Sequence, residues 1–148
     1  MRTSEAVSRS AVGIGPDRSI LEAAEIMERA GVGALAVVDD DRLVGIVTDR
    51  DLVRRGIARR VPVEGRIDSI MTAPVVTIDA DAELEDCFPL FRTHGIRRLP
   101  VVRGERFVGM ISIDDLLLRL AGQLADLSRP VAAELLFAHR DSPVPMTT

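Results

Sequence analysis

The sequence contains itself twice. Residues 7–58 lie over residues 71–122 at a constant offset of 64 without a gap, and 13 of the 52 pairs are identical. Gly31, Leu35, Val37, Gly45, Asp51 and Arg55, for example, recur as Gly95, Leu99, Val101, Gly109, Asp115 and Arg119. A unit of that length buries too little surface to be stable alone, so two copies in one 148-residue chain are expected to share a core. Duplication of a half-open unit also predicts a pseudo-twofold axis between the halves.

Each copy reads in the same order. A short β-rich piece (residues 11–14 and 75–78) leads to an Asp suited to capping a helix, Asp17 or Asp81. The helix that follows has an apolar stripe, Ile20, Ala23, Ala24 and Met27 in one copy, and Leu84, Cys87, Phe88 and Phe91 in the other. Gly31 and Gly95 stop these helices. Two strands joined by a polar turn come next, "ALAVV" and "LVGIV" then "RLPVV" and "FVGMI", and a second helix closes the copy. The fold class is therefore α/β in the mixed α+β sense: two βαββα repeats, residues 7–62 and 68–124, forming one module. Pro89 conflicts with a helix running through its position. Residues 128–139 predict a short C-terminal helix with Ser128 near its start, and residues 140–148 a disordered tail.

Composition narrows the partners. Aromatic residues are 3% of the chain with no Trp or Tyr, the net charge is -4, and the pI is near 5.2, which argues against nucleic acid. No apolar run approaches the roughly 18–20 residues of a membrane span, and the N-terminal stretch lacks the apolar core of a signal peptide. The lone Cys87 cannot form an internal disulfide, so a cytoplasmic protein is expected. His94, His139 and Cys87 are too scattered for a zinc site or a nucleophilic triad, and the acidic runs at 39–41 and 79–86 lack the EF-hand pattern. Nothing here predicts an enzyme or a required cofactor.

The strand-to-helix junctions "GIVTDRD" and "GMISIDD" admit two readings. A hydroxyl residue followed three places later by an acid is a capping box, and Thr48/Asp51 or Ser112/Asp115 need be nothing more. The other reading starts from a helix N-terminus, where free N–H groups attract anions. There the hydroxyl can hold a phosphate oxygen, and the carboxylate one turn on can accept from a ribose diol.

The doubled G-h-h-[ST]-x-x-D stretch, with "GVGALAVV" and "GIRRLPVV" upstream, resembles the cystathionine-β-synthase (CBS) domain, and the pair resembles a Bateman module over about residues 7–124. The resemblance implies a regulatory module that binds an adenosyl ligand (AMP, ADP, ATP or S-adenosylmethionine) between the repeats. By position, Asp51 and Asp115 would take ribose hydroxyls, and Thr48 and Ser112 phosphate. Ile14, Ala34 and Ala36 would cage the base in one site, and Thr77, Ile78, Leu99 and Pro100 in the other. Arg97 and Arg98 match positions where the family often places basic residues toward the phosphates.

The two copies differ in charge. Repeat 2 has Arg97 and Arg98 where repeat 1 has Gly33 and Ala34, and repeat 1 has Arg50 where repeat 2 has Asp114. If the arginines of one repeat reach the ligand of the other, the Thr48/Asp51 site is the better phosphate site. Leucines 116, 117, 118, 120, 124 and 127 are too many for one stripe, so some should meet the final helix or a second subunit. The family resemblance implies a homodimer, with a separate effector protein reading the ligand state. The alternative is a structural or interaction protein in which the motifs only cap helices and the dimer surface is the function.

Overall fold

The structure, a computed structural model, describes residues 1–7 and 12–140. It divides into two units, Met1–Ile113 and Asp114–Thr148. The first holds a six-stranded sheet: β1 (Gly13–Ile14), β2 (Ala34–Asp39), β3 (Arg42–Thr48), β4 (Ile78–Asp79), β5 (Arg98–Arg103) and β6 (Arg106–Ser112), in the order β1-β2-β3-β6-β5-β4. The hairpin registers repeat at the sequence offset: Ala34 faces Thr48 as Arg98 faces Ser112, with an irregularity at Val37/Val38 matched by one at Val101/Val102. Parallel strands β1 and β4 close the two outer edges.

The halves meet where β3 and β6 begin. Arg42 and Arg106 are paired antiparallel, the Leu43 N–H donates to the Glu105 carbonyl at 3.0 Å, and the Phe107 N–H donates to the Asp41 carbonyl at 2.8 Å. Two like charges facing each other would repel. Each is instead met by an acid of the other half, Arg42 by Glu105 at 3.0 Å and Arg106 by Asp41 at 3.5 Å.

Helix α1 (Ile20–Ala30) buries Ile20, Ala23 and Met27 against Leu35, Val37 and Val47 of the sheet. Its N-cap is Ser19, whose Oγ accepts from the Glu22 N–H at 3.1 Å; Asp17 is too early in the chain for the capping role expected of it. Helix α3 (Cys87–His94) follows a 3-10 turn at Leu84–Asp86, and Glu83 rather than Asp81 flanks that turn. The late start of α3 answers the objection raised by Pro89. The proline lies in the first turn, where backbone N–H groups have no partner within the helix. Leu84, Cys87 and Phe91 are buried, but Phe88 is exposed. Gly31 and Gly95 end α1 and α3 in the left-handed conformation, φ 65° and 60°.

The repeat extends further than identity reveals, and its leading turns are exchanged between halves. The 3-10 turn Thr3–Glu5 packs on repeat 2, where Thr3 and Ser4 N–H groups donate to Ala82 and Ala80. The turn Ile67–Ser69 packs on repeat 1, where Ile67 and Asp68 N–H groups donate to Arg18 and Pro16. Both strands need a glycine where these segments pass. A Cβ on Gly45 would fall 2.5 Å from Met71 Sδ, and one on Gly109 would fall 2.8 Å from Val7 Cβ.

In the second unit, the segment expected as a separate short helix over 128–139 continues the helix of the preceding junction. Helix α4 (Ile113–Arg140) runs unbroken through Pro130. The tail beyond Arg140 lies outside the described residues. Among those described, no helix is long and apolar enough to cross a membrane.

Two outcomes are expected. Gly45→Ala and Gly109→Ala should each destabilise the fold by about 1–3 kcal/mol in denaturant unfolding. A negligible loss in either would contradict this packing. Burial, with Asp86 and Glu85 adding to it, pushes the Cys87 thiol up to about 11. The folded state thus favours the neutral thiol. Its contribution should be fully present below the ordinary thiol value of 9.0 and lost as pH rises toward 11. Native protein should resist thiol reagents at pH 8, and denatured protein should react once per chain.

Candidate functional site

Thr48 ends β3 and caps the next helix. Asp49–Asp51 (α2) forms one α-helical turn that widens into a π-helical stretch, Leu52–Ile57. The Thr48 Oγ1 accepts from the Asp51 N–H at 3.1 Å, and the Thr48 N–H donates to Asp51 Oδ2 at 3.0 Å. The capping box is therefore formed. Arg55 Nε lies 3.9 Å from Asp51 Oδ1, and the Asp51 side chain is only 15% exposed.

On the same side of the sheet is a cavity of about 420 Å³, within the roughly 300–1,000 Å³ common for small-molecule sites. Three stretches wall it. Ile46, Thr48, Asp49, Arg50 and Asp51 come from repeat 1; Thr72, Pro74, Val75 and Val76 come from the first residues of repeat 2, a linker segment (72–76) that leads into β4; Gly95, Ile96, Arg97 and Arg98 come from the start of the hairpin in repeat 2. The linker reaches this position because Ile46 and Thr72 exchange backbone hydrogen bonds, 3.1 and 2.8 Å.

The chemistry is divided across the cavity. Arg50, Arg97 and Arg98 supply cationic donors, and the described residues give Arg50 and Arg98 no ion pair. Thr48 supplies a hydroxyl, and Asp49 and Asp51 supply carboxylates. Gly33 leaves room for two of these groups: a Cβ there would fall 3.0 Å from an Asp49 carboxylate oxygen and 3.4 Å from Arg98 Nη2. Ile46, Pro74, Val75, Val76 and Ile96 give the apolar surface a flat ring would need.

The structure thus brings together Thr48, Arg50, Asp51, Arg97 and Arg98 from the residues singled out in the sequence. Ala34 and Ala36 lie on the same sheet face, paired with Thr48 and Ile46, but are buried with Met110 and do not line the cavity. Ile14 packs on the opposite face beneath α1. Leu99, Pro100 and Ile78 are buried, and Thr77 is half-buried. Ser112 ends β6, and Asp115 stands in the first turn of α4. Sequence reasoning missed the linker wall and Asp49. None of the residues from Thr72 to Val75 is identical to its counterpart in the other repeat, and only "TDRD" itself could have pointed to Asp49. Among the described residues no group of three or more His, Cys, Asp or Glu could hold a metal ion.

Comparison with known proteins agrees with this architecture. The CBS domain family model matches residues 4–57 and 67–122. An uncharacterized Bacillus subtilis protein, YlbB, is 40% identical over 129 residues, covering 82% of this chain and 87% of that one. The solved structure of a CBS domain protein from Pyrobaculum aerophilum complexed with AMP superposes with a TM-score of 0.72 at 30% identity, covering 82% of this chain and 99% of that one. The CBS domain pair of protein MJ0100, in complex with 5′-methylthioadenosine and S-adenosyl-L-methionine, gives a TM-score of 0.74 at 26% identity over 83% and 98%.

Proposed function

The chain belongs to the CBS domain family, and on that premise we propose that it is a regulatory module, without catalysis of its own, that senses a phosphorylated adenosyl ligand. One observation carries the reading: a single cavity collects the hydroxyl-x-x-Asp motif of one repeat and the paired arginines of the other. In it the Asp51 carboxylate accepts from the ribose diol. The Thr48 hydroxyl, with Arg50, Arg97 and Arg98, holds the phosphate. The apolar linker wall and Ile96 flank the adenine. AMP in the Pyrobaculum protein and the adenosyl compounds in MJ0100 support this ligand class. Three arginines favour AMP, ADP or ATP over the sulfonium of S-adenosylmethionine.

A ligand held on both sides stabilises one arrangement of repeat 1, linker and repeat 2 over others, which is what a signal to a separate effector protein in the cytoplasm requires. Calorimetric titration with AMP, ADP, ATP and S-adenosylmethionine should give saturable binding by a phosphorylated compound. Asp51→Ala should weaken that binding by roughly ten- to a hundredfold while the protein stays folded. Absence of binding by all four would leave the motif as a cap and favour the interaction-protein reading.

The working state we propose is a homodimer. On α4, Leu117, Leu120, Leu124, Leu127 and Val131 recur at alternating spacings of three and four, and all are exposed. Such spacing makes the apolar seam of a paired helix. Because α4 is unbroken, residues 128–140 do not fold back over it. Sedimentation should give a dimer, and Leu124→Glu should raise its dissociation constant by at least about tenfold. A monomeric unaltered protein would refute this part.

A further inference from the structure

We propose that Arg55 is a positioning residue of this site, joining the ribose-binding carboxylate to the linker wall so that the two move as one; the inference rests on the nucleotide reading above. Arg55 belongs to neither surface of the cavity, yet its guanidinium touches what holds both in place. Its Nε faces Asp51 Oδ1 at 3.9 Å, and its Nη1 donates to the Met71 carbonyl at 3.2 Å. Met71 is the residue before Thr72, where the linker pairs with β3, and its side chain lies against Gly45. The cavity wall follows at Thr72, Pro74, Val75 and Val76.

The two ends of the guanidinium suit this task. A planar fork can meet a carboxylate with one edge and a carbonyl with another, whereas an ammonium is a single point of charge. The duplication points the same way. Between the copies Arg50 becomes Asp114 and Arg54 becomes Leu118, but Asp51 and Arg55 are both retained, as Asp115 and Arg119. A solvated helix face has no reason to keep one arginine while shedding the two beside it.

In the liganded protein a diol on Asp51 pulls on the same carboxylate that Arg55 faces, and Arg55 passes the change to the Met71 carbonyl. Arg55→Met should therefore weaken AMP binding about tenfold. It should weaken 2′,3′-dideoxy-AMP binding less, because that compound has no diol for Asp51 to grip and loses only the support of the wall beside the adenine. Arg55→Lys should fall between and guards against a folding defect in the first variant. Hydrogen exchange of ligand-free protein should rise several-fold over residues 70–76 in Arg55→Met and stay unchanged in α1 and β2. Equal losses for the two nucleotides, or unaltered exchange in the linker, would overturn the role of Arg55 alone. Failure of the unaltered protein to bind AMP would overturn the reading of the cavity, and this inference with it.

Discussion

The single residue pair between β3 and β6 governs the first unit. Two backbone hydrogen bonds related by the repeat offset, Leu43 to Glu105 and Phe107 to Asp41, lock the halves at that pair and nowhere else along the strands. Because β3 leaves β6 after Arg42, its remaining edge needs another partner for its buried backbone groups. The linker supplies it at Thr72. The cavity is a consequence: a strand end, a linker laid along that strand, and the start of β5 meet around a space no side chain of the sheet fills. Gly45 matters for the same reason, since a larger residue would push the linker off the strand.

Given that frame, the two junctions of the duplicated sequence differ in the charges around them. Arg97 and Arg98 belong to repeat 2 but line a cavity whose hydroxyl and carboxylate come from repeat 1. Arginines present in one copy thus lie in the same cavity as the motif of the other. Arg50 adds to the same cluster, whereas its counterpart Asp114 carries the opposite sign. The cavity thereby holds three arginines beside the two carboxylates of Asp49 and Asp51.

Much of this was legible because the signals were local or periodic. The i, i+3, i+7 spacing of Ile20, Ala23 and Met27 found the buried face of α1, and Gly31 and Gly95 marked the helix ends. Periodicity failed at Phe88 because α3 starts only at Cys87, after a 3-10 turn whose different pitch breaks the stripe. Asp17 and Ser19 are both good caps by residue type, and only the backbone decides which one flanks the first turn. The exchanged turns Thr3–Glu5 and Ile67–Ser69 share no identical residue, so nothing in the sequence paired them. The linker wall is tertiary in the same sense: its place comes from an edge that β6 vacates. Leu99 and Pro100 look like site residues by position, but alternation along β5 and burial of both sheet faces place them in the interior.

The capping and binding readings of the junction also cease to compete once the acceptors on Asp51 are counted. An ionised carboxylate offers about four lone-pair directions. The Thr48 N–H uses one on Oδ2, and Arg55 faces Oδ1 from 3.9 Å, a distance that leaves that oxygen free to accept again. Two ribose hydroxyls can then be met without removing the cap. Had the ligand needed the cap broken, it would have had to offset about 1 kcal/mol of helix stability before gaining anything. The cap instead holds the carboxylate in one rotamer at the mouth of the cavity, and an ordered acceptor loses less entropy on binding than a free one. The feature that makes "TDRD" look purely structural is thus what would make it an effective ribose clamp.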